Sequence, residues 1–155
     1  FCQKEMNSIL FDKQIVNANF SKNHKKGVIR GLHYQLSPYG EIKMPRCIKG
    51  KVLDIFVDVR KNSPTYLQWD SLELAAGDMK MILIPEGFAH GFQSLEDDSE
   101  LMYLTTQYFS KEYERALNIN DPRLNIKLPF KITDMSDRDK KHPFIDDLNF
   151  EGILV

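Results

Sequence analysis

Apolar and polar residues alternate along much of this chain, and the alternation has the period of a β-strand rather than a helix. The clearest case is residues 52–59. Leu53, Ile55, Val57 and Val59 fall on one face, and Asp54, Phe56 and Asp58 on the other. Residues 79–84 predict a further strand, stopped by Pro85. Residues 101–108 are rich in aromatic and β-branched side chains, which suit a pleated, half-buried surface. Turn chemistry separates these runs at Ser37-Pro38-Tyr39-Gly40, Lys49-Gly50, Asn62-Ser63-Pro64, Ala76-Gly77-Asp78 and Glu96-Asp97-Asp98. Helical periodicity is scarce: residues 110–114 predict one short turn capped by Ser110, and little else competes.

Many short strands without long intervening helices predict an all-β sandwich or barrel. From Lys131 onward the chain is charged and holds Ser136-Asp137-Arg138-Asp139 and then Pro143, which reads as a short irregular or helical C-terminal segment packed on the barrel. With 155 residues, 42% of them hydrophobic, one core is affordable and two are not, so residues 1–155 read as a single domain. A formal net charge of −1 gives no reason to expect nucleic acid or an acidic membrane surface as partner. Neither a run of transmembrane length nor a signal-like start is present, and the two cysteines, Cys2 and Cys47, make neither a disulfide framework nor a metal cluster. A reduced cytoplasmic protein is the expectation.

Candidate chemistry concentrates in two stretches, 27–35 and 85–92. Strict alternation would put Arg30 and His33 on opposite faces, but a bulge at Gly31 would let both reach one cavity. An arginine there could hold a diphosphate through forked, charge-assisted hydrogen bonds; otherwise it is a surface ion pair. His33 alone would read as a hydrogen-bonded core histidine. Metal is not expected, because such an ion takes several N and O ligands, and His33-Tyr34-Gln35 with a later His90 offers two histidines without a His-x-His pair. Cys47 reads as a buried structural thiol, and residues 22–26, Lys-Asn-His-Lys-Lys, as a solvated loop.

Read together, Asn19-Phe20-Ser21, Arg30-Gly31-Leu32-His33-Tyr34-Gln35, Asp58-Val59-Arg60-Lys61-Asn62-Ser63-Pro64-Thr65, Ile84 to Phe92, Tyr103, Asn120-Asp121-Pro122 and Ser136-Asp137-Arg138-Asp139 resemble, in order and spacing, the dTDP-4-dehydrorhamnose 3,5-epimerase family. The resemblance implies a cupin jelly roll, usually a homodimer, working without a cofactor on a nucleoside diphosphate 4-keto-6-deoxy sugar. It implies His33 as general base, Asp139 as its orienting carboxylate, Lys43 near the 4-keto oxygen and Tyr103 as the acid on the opposite face. Asp54 is implied beside Lys43, and Asn19, Arg30, Gln35, Arg60, His90 and Phe109 in or around the pocket. Alternatives within the class are a 3-epimerase, a 5-epimerase or a 3,4-ketoisomerase; outside it, a non-catalytic sugar-nucleotide binder. The sequence departs from the family pattern at several points. Phe109 replaces a tyrosine, Met44-Pro45 replaces strand-forming apolar residues, and the family's early Gly-x-Phe-x-Glu run has no counterpart from Phe1 on. Pro45 predicts an edge or bulged strand, since it cannot donate to a ladder.

Overall fold

A six-stranded and a three-stranded sheet enclose the interior of the molecule in a computed structural model that describes residues 3–146 and 149–155. In chain order the elements are α1 (Gln3–Leu10), β1 (Asn17–Asn23), β2 (Val28–Gln35), β3 (Lys43–Lys49), β4 (Lys51–Asp58), β5 (Trp69–Ala75), β6 (Phe88–Ser94), β7 (Ser99–Thr105), β8 (Glu114–Ala116), β9 (Asp134–Met135) and α2 (Asp137–Lys140). The large sheet runs β5-β4-β6-β2-β8 with β9 added parallel to β2, and the small one runs β1-β7-β3. The other strand pairings among the described residues are antiparallel, and an isolated parallel bridge joins Arg60 to Ile153. This is the all-β architecture that the strand-period pattern predicts, in the jelly-roll form that the family resemblance implies.

Alternation sorts side chains into three apolar clusters. Leu32 and Tyr34 of β2, Ile55 and Val57 of β4 and Ala89 of β6 point to one face of the large sheet. There they meet Leu117, Ile119, Leu124, Met135, Ile145 and Ile153 from the chain beyond β8. Leu117 and Ile145 are fully buried, and each such side chain contributes about 1.5–3 kcal/mol. Apolar burial thus fixes the C-terminal segment as firmly as a strand. Between the sheets, Cys47, Val52, Leu74, Phe92 and Leu101 fill one part of the interior. Outside the small sheet, α1 packs Met6 and Leu10 on Ile42 and Met44.

Helix α1 is a departure from the sequence expectation. Its signal was Met6, Ile9 and Leu10, an i, i+3, i+4 stripe too short to stand out. Residues 79–84 depart the other way: they form no strand, only a bridge between Ile84 and Lys43. Ile82 donates to the Pro45 carbonyl at 3.2 Å, but Pro45 has no N–H to return, so the ladder ends there. Proline at that point is tolerated because β3 is an edge strand. The strand predicted over 101–108 ends at Thr105, and the turn at 110–114 closes through the Ser110 carbonyl, which accepts from the Tyr113 and Glu114 amides. Cys2 lies outside the described residues. Cys47 is a buried thiol donating toward the Lys49 and Gly50 carbonyls, and burial pushes its pKa up, as suits a structural role.

Candidate active site

The interior not filled by apolar side chains is a cavity of about 590 Å³ between the two sheets, within the range of small-molecule sites. The large sheet contributes Arg30, His33, Gln35 and His90, and the small sheet Asn17, Asn19, Lys43, Tyr103 and Thr105. Arg30 and His33 share the cavity because the β2–β6 register shifts between them. Gly31 makes this possible: its φ is +102°, and a Cβ would lie 2.5 Å from the His90 carbonyl oxygen. Gly91 answers it, since a Cβ there would meet the Arg30 carbonyl at 2.5 Å.

His33 Nε2 lies 2.7 Å from Asp139 Oδ1, across 106 residues of sequence. Asp139 is 3% exposed and accepts the Gly31 amide on Oδ2 at 3.3 Å. Ser136 caps α2 by accepting from the Asp139 amide at 3.0 Å, which sets the carboxylate's direction. Burial raises the Asp139 pKa, but the His33 bond, the His33 charge and the Gly31 and Ser136 contacts outweigh it and hold the carboxyl at about 2. An ionised Asp139 accepts, so Nε2 carries the hydrogen and the Nδ1 lone pair is the basic site.

Lys43, 7% exposed, donates to the His33 carbonyl at 2.9 Å and pairs with Glu41 at 3.3 Å. An ammonium has three donors, so one remains for the cavity. Tyr103 stands on the facing sheet, its pKa raised first by burial and then by Glu41 and Glu114, against the lowering effect of Arg30. It is therefore a protonated phenol at neutral pH. Arg30 is steadied by Asn23, which accepts from Nε at 2.8 Å.

Two sequence expectations need correction, those for Arg60 and Asp54. Arg60 does not line this cavity: it binds Asp58 through Nε at 2.9 Å and Nη2 at 2.7 Å. Asp58 also accepts from Ser63 and Thr65, bonds that outweigh its burial and drive its pKa far down, so 58–65 is a charge-knotted loop. Asp54 does not hold Lys43. It is fully buried and binds His90 Nε2 at 2.9 and 3.1 Å, because inward-facing Asp54 on β4 lies beside β6. Gln35 lines the cavity but spends its amide on the Tyr39 and Tyr108 carbonyls and the Ser110 amide, fixing the loop that carries Phe109. Asn19, Arg30, Lys43, His90, Tyr103 and Phe109 line the cavity as expected.

Glu114, Arg138 and His142 were missed. Arg138 Nη1 donates to Glu114 at 2.8 Å while Nη2 lies 3.2 Å from His33 Nε2. The signal for Arg138 was its place beside Asp139; nothing in the sequence linked Glu114 or His142 to the base. His33, Asp139 and His142 offer three ligand atoms within 4.8 Å. A dication would have to break the Nε2–H···Oδ1 bond and sit against the Arg138 guanidinium. The donor set fits proton handling better than an ion.

The model of the dTDP-4-dehydrorhamnose 3,5-epimerase family matches residues 1–147. The chain belongs to that family. This epimerase, an isomerase by class, is 41% identical over 145 residues to the dTDP-4-dehydrorhamnose 3,5-epimerase of Shigella flexneri, covering 90% of this chain and 80% of that one. Its fold matches the Legionella pneumophila enzyme solved with dTDP-4-keto-L-rhamnose at a TM-score of 0.89 and 32% identity, covering 100% of this chain and 84% of that one. It also matches a 3'-monoepimerase of Streptomyces bikiniensis solved with dTDP-quinovose at 0.88 and 31%, covering 97% and 78%. Among the described residues of the epimerase, no helix is long and apolar enough to cross a membrane.

Proposed function

We propose that this epimerase inverts C5, C3 or both of a dTDP-linked 4-keto-6-deoxy sugar, in a single domain and without a cofactor. The observation that carries the reading is the His33–Asp139 bond at 2.7 Å in a cavity whose other wall holds Lys43 and Tyr103. The hydrogens on C3 and C5 are acidic because each carbon neighbours the 4-carbonyl. His33 Nδ1 takes one of them, and the C–H electron pair passes into the carbonyl to give an enolate. The imidazolium that forms is stabilised by ionised Asp139. Lys43 supplies its free N–H to the enolate oxygen, where charge develops. Tyr103 then gives its phenolic proton to the opposite face of the same carbon, and the enolate collapses to the inverted ketone. Proton exchange with solvent restores both groups. Arg30 holds the diphosphate as a forked donor.

A binding protein would need none of this arrangement of base, orienting acid, oxyanion partner and opposing acid. The resemblance to both a two-site and a one-site enzyme leaves the choice of carbon to experiment. Incubation with dTDP-4-keto-6-deoxyglucose in D2O, followed by proton NMR, should lose the C5 signal, the C3 signal or both. Retention of both signals would overturn the reading for this substrate, and GDP- and CDP-linked 4-keto sugars in parallel would identify another nucleotide.

The working form is a cytoplasmic homodimer. Phe20, 70% exposed on edge strand β1 beside the cavity, supports a second copy covering that rim. Light scattering should give twice the chain mass; a monomer at catalytic concentration would contradict it.

A further inference from the structure

His142 is absent from the reaction as described, yet it sits against its centre. Its Nε2 is buried, has no hydrogen-bond partner among the described residues, and lies 3.7 Å from Asp139 Oδ1, the oxygen that holds His33. An unpaired buried nitrogen costs about 1–3 kcal/mol, so its position calls for a compensating use. The residue is firmly held. Asn118, itself buried, donates Nδ2 to the His142 carbonyl at 2.7 Å, and Asp121 accepts the Ile145 amide at 2.6 Å. Asn118 and Asp121 therefore clip the segment that carries His142, which follows closely on Asp139. The two imidazoles face each other edge-on, with centroids 6.2 Å apart at 76°.

We propose that His142 is a positioning residue that sets the basicity of His33 through Asp139, donating its Nε2–H to the same carboxylate oxygen when the ring or carboxylate turns by a few tenths of an ångström. The charged groups around it are His33 on β2, Glu114 on β8, and Arg138 and Asp139 on α2. Burial, then the His33 charge, and also Arg138 oppose a second cation there, while Asp139 and Glu114 favour one; the balance lowers the His142 pKa. His142 thus works as a neutral donor. A second donor on Oδ1 draws electron density from the bond to His33 and weakens the carboxylate's hold on the imidazolium.

This inference rests on His33 as the base, and the test separates the two. The acid limb of kcat/KM is measured for wild type, His142→Leu and His142→Gln, with His33→Ala as control. His142→Leu should move the limb upward by about half a pH unit or more, because an Asp139 oxygen no longer shared with a second donor holds the imidazolium more tightly. His142→Gln, which keeps an N–H, should bring it back. A packing role would lower the plateau and leave the limb in place, and an unmoved limb overturns the proposal. Activity in His33→Ala would instead overturn the base itself. A measurement on the wild type guards against misfolded variants. Long-range proton–nitrogen NMR should find neutral His142 as the Nε2–H tautomer, and a bare Nε2 would contradict the assignment.

Discussion

The cavity holds two histidine–aspartate pairs, and they do different things. His33 and His90 are cross-strand partners on β2 and β6, and each gives Nε2 to a buried carboxylate, Asp139 at 2.7 Å and Asp54 at 2.9 Å. The difference is access. The His33 side chain is 23% exposed with Arg138 beside it, whereas His90 is 7% exposed above a fully buried Asp54. Asp54 comes from the strand next to β6, within the sheet, while Asp139 comes from a capped turn of helix held by the C-terminal segment. A pair within the sheet stiffens a wall. A pair that joins the sheet to another segment, with one imidazole nitrogen left open, can exchange a proton.

Substitutions sharpen that contrast, beginning with the largest effect. Asp139→Asn keeps the shape but removes the charge that orients and stabilises His33, and kcat should fall by about 10²–10⁴-fold. A loss below tenfold would make the pair structural. Tyr103→Phe should reduce epimerisation by about 10²-fold while deuterium wash-in falls much less, since abstraction precedes delivery of the second proton. Equal losses in both would remove Tyr103 from the acid role. Asp54→Ala should act on stability instead, costing about 1–3 kcal/mol in denaturant unfolding because it leaves a buried His90 N–H without its acceptor. A mainly catalytic defect in a fully stable variant would erase the contrast between the pairs.

Acid should discriminate as well. The Asp139 carboxyl drops from an ordinary value of 3.8 to about 2 on folding, so its contribution is complete above about pH 4 and is lost as pH falls through 2. Wild type should lose stability across that window more steeply than Asp139→Asn, as read from midpoints of denaturant curves, and parallel curves would contradict the linkage. EDTA should have the smallest effect, leaving turnover unchanged; a clear loss would favour a metal on His33, Asp139 and His142.

How much of this was legible in the sequence follows from physical range. Strand periodicity is local, so β4 and most of β7 could be read directly, as could the bulge that brings Arg30 and His33 together. Residues 79–84 misled because β-propensity says nothing of the partner, and the partner carries Pro45. The Arg60 expectation failed through a competing charge two residues away: Asp58 binds the guanidinium before any ligand arrives. Asp54 was placed beside Lys43 by the family resemblance alone, and only the order β4-β6 assigns it to His90. His142 was invisible, since its link to the base runs through a tertiary contact alone.

The central claim is that His33 removes the sugar proton. Its direct test is deuterium incorporation at C3 and C5 of dTDP-4-keto-6-deoxyglucose, comparing wild type, His33→Ala and His90→Ala, each verified as folded. The account predicts wash-in by wild type, none by His33→Ala, and slowed but continuing wash-in by His90→Ala. Wash-in by His33→Ala at the wild-type rate, or its complete loss in His90→Ala alone, would contradict it.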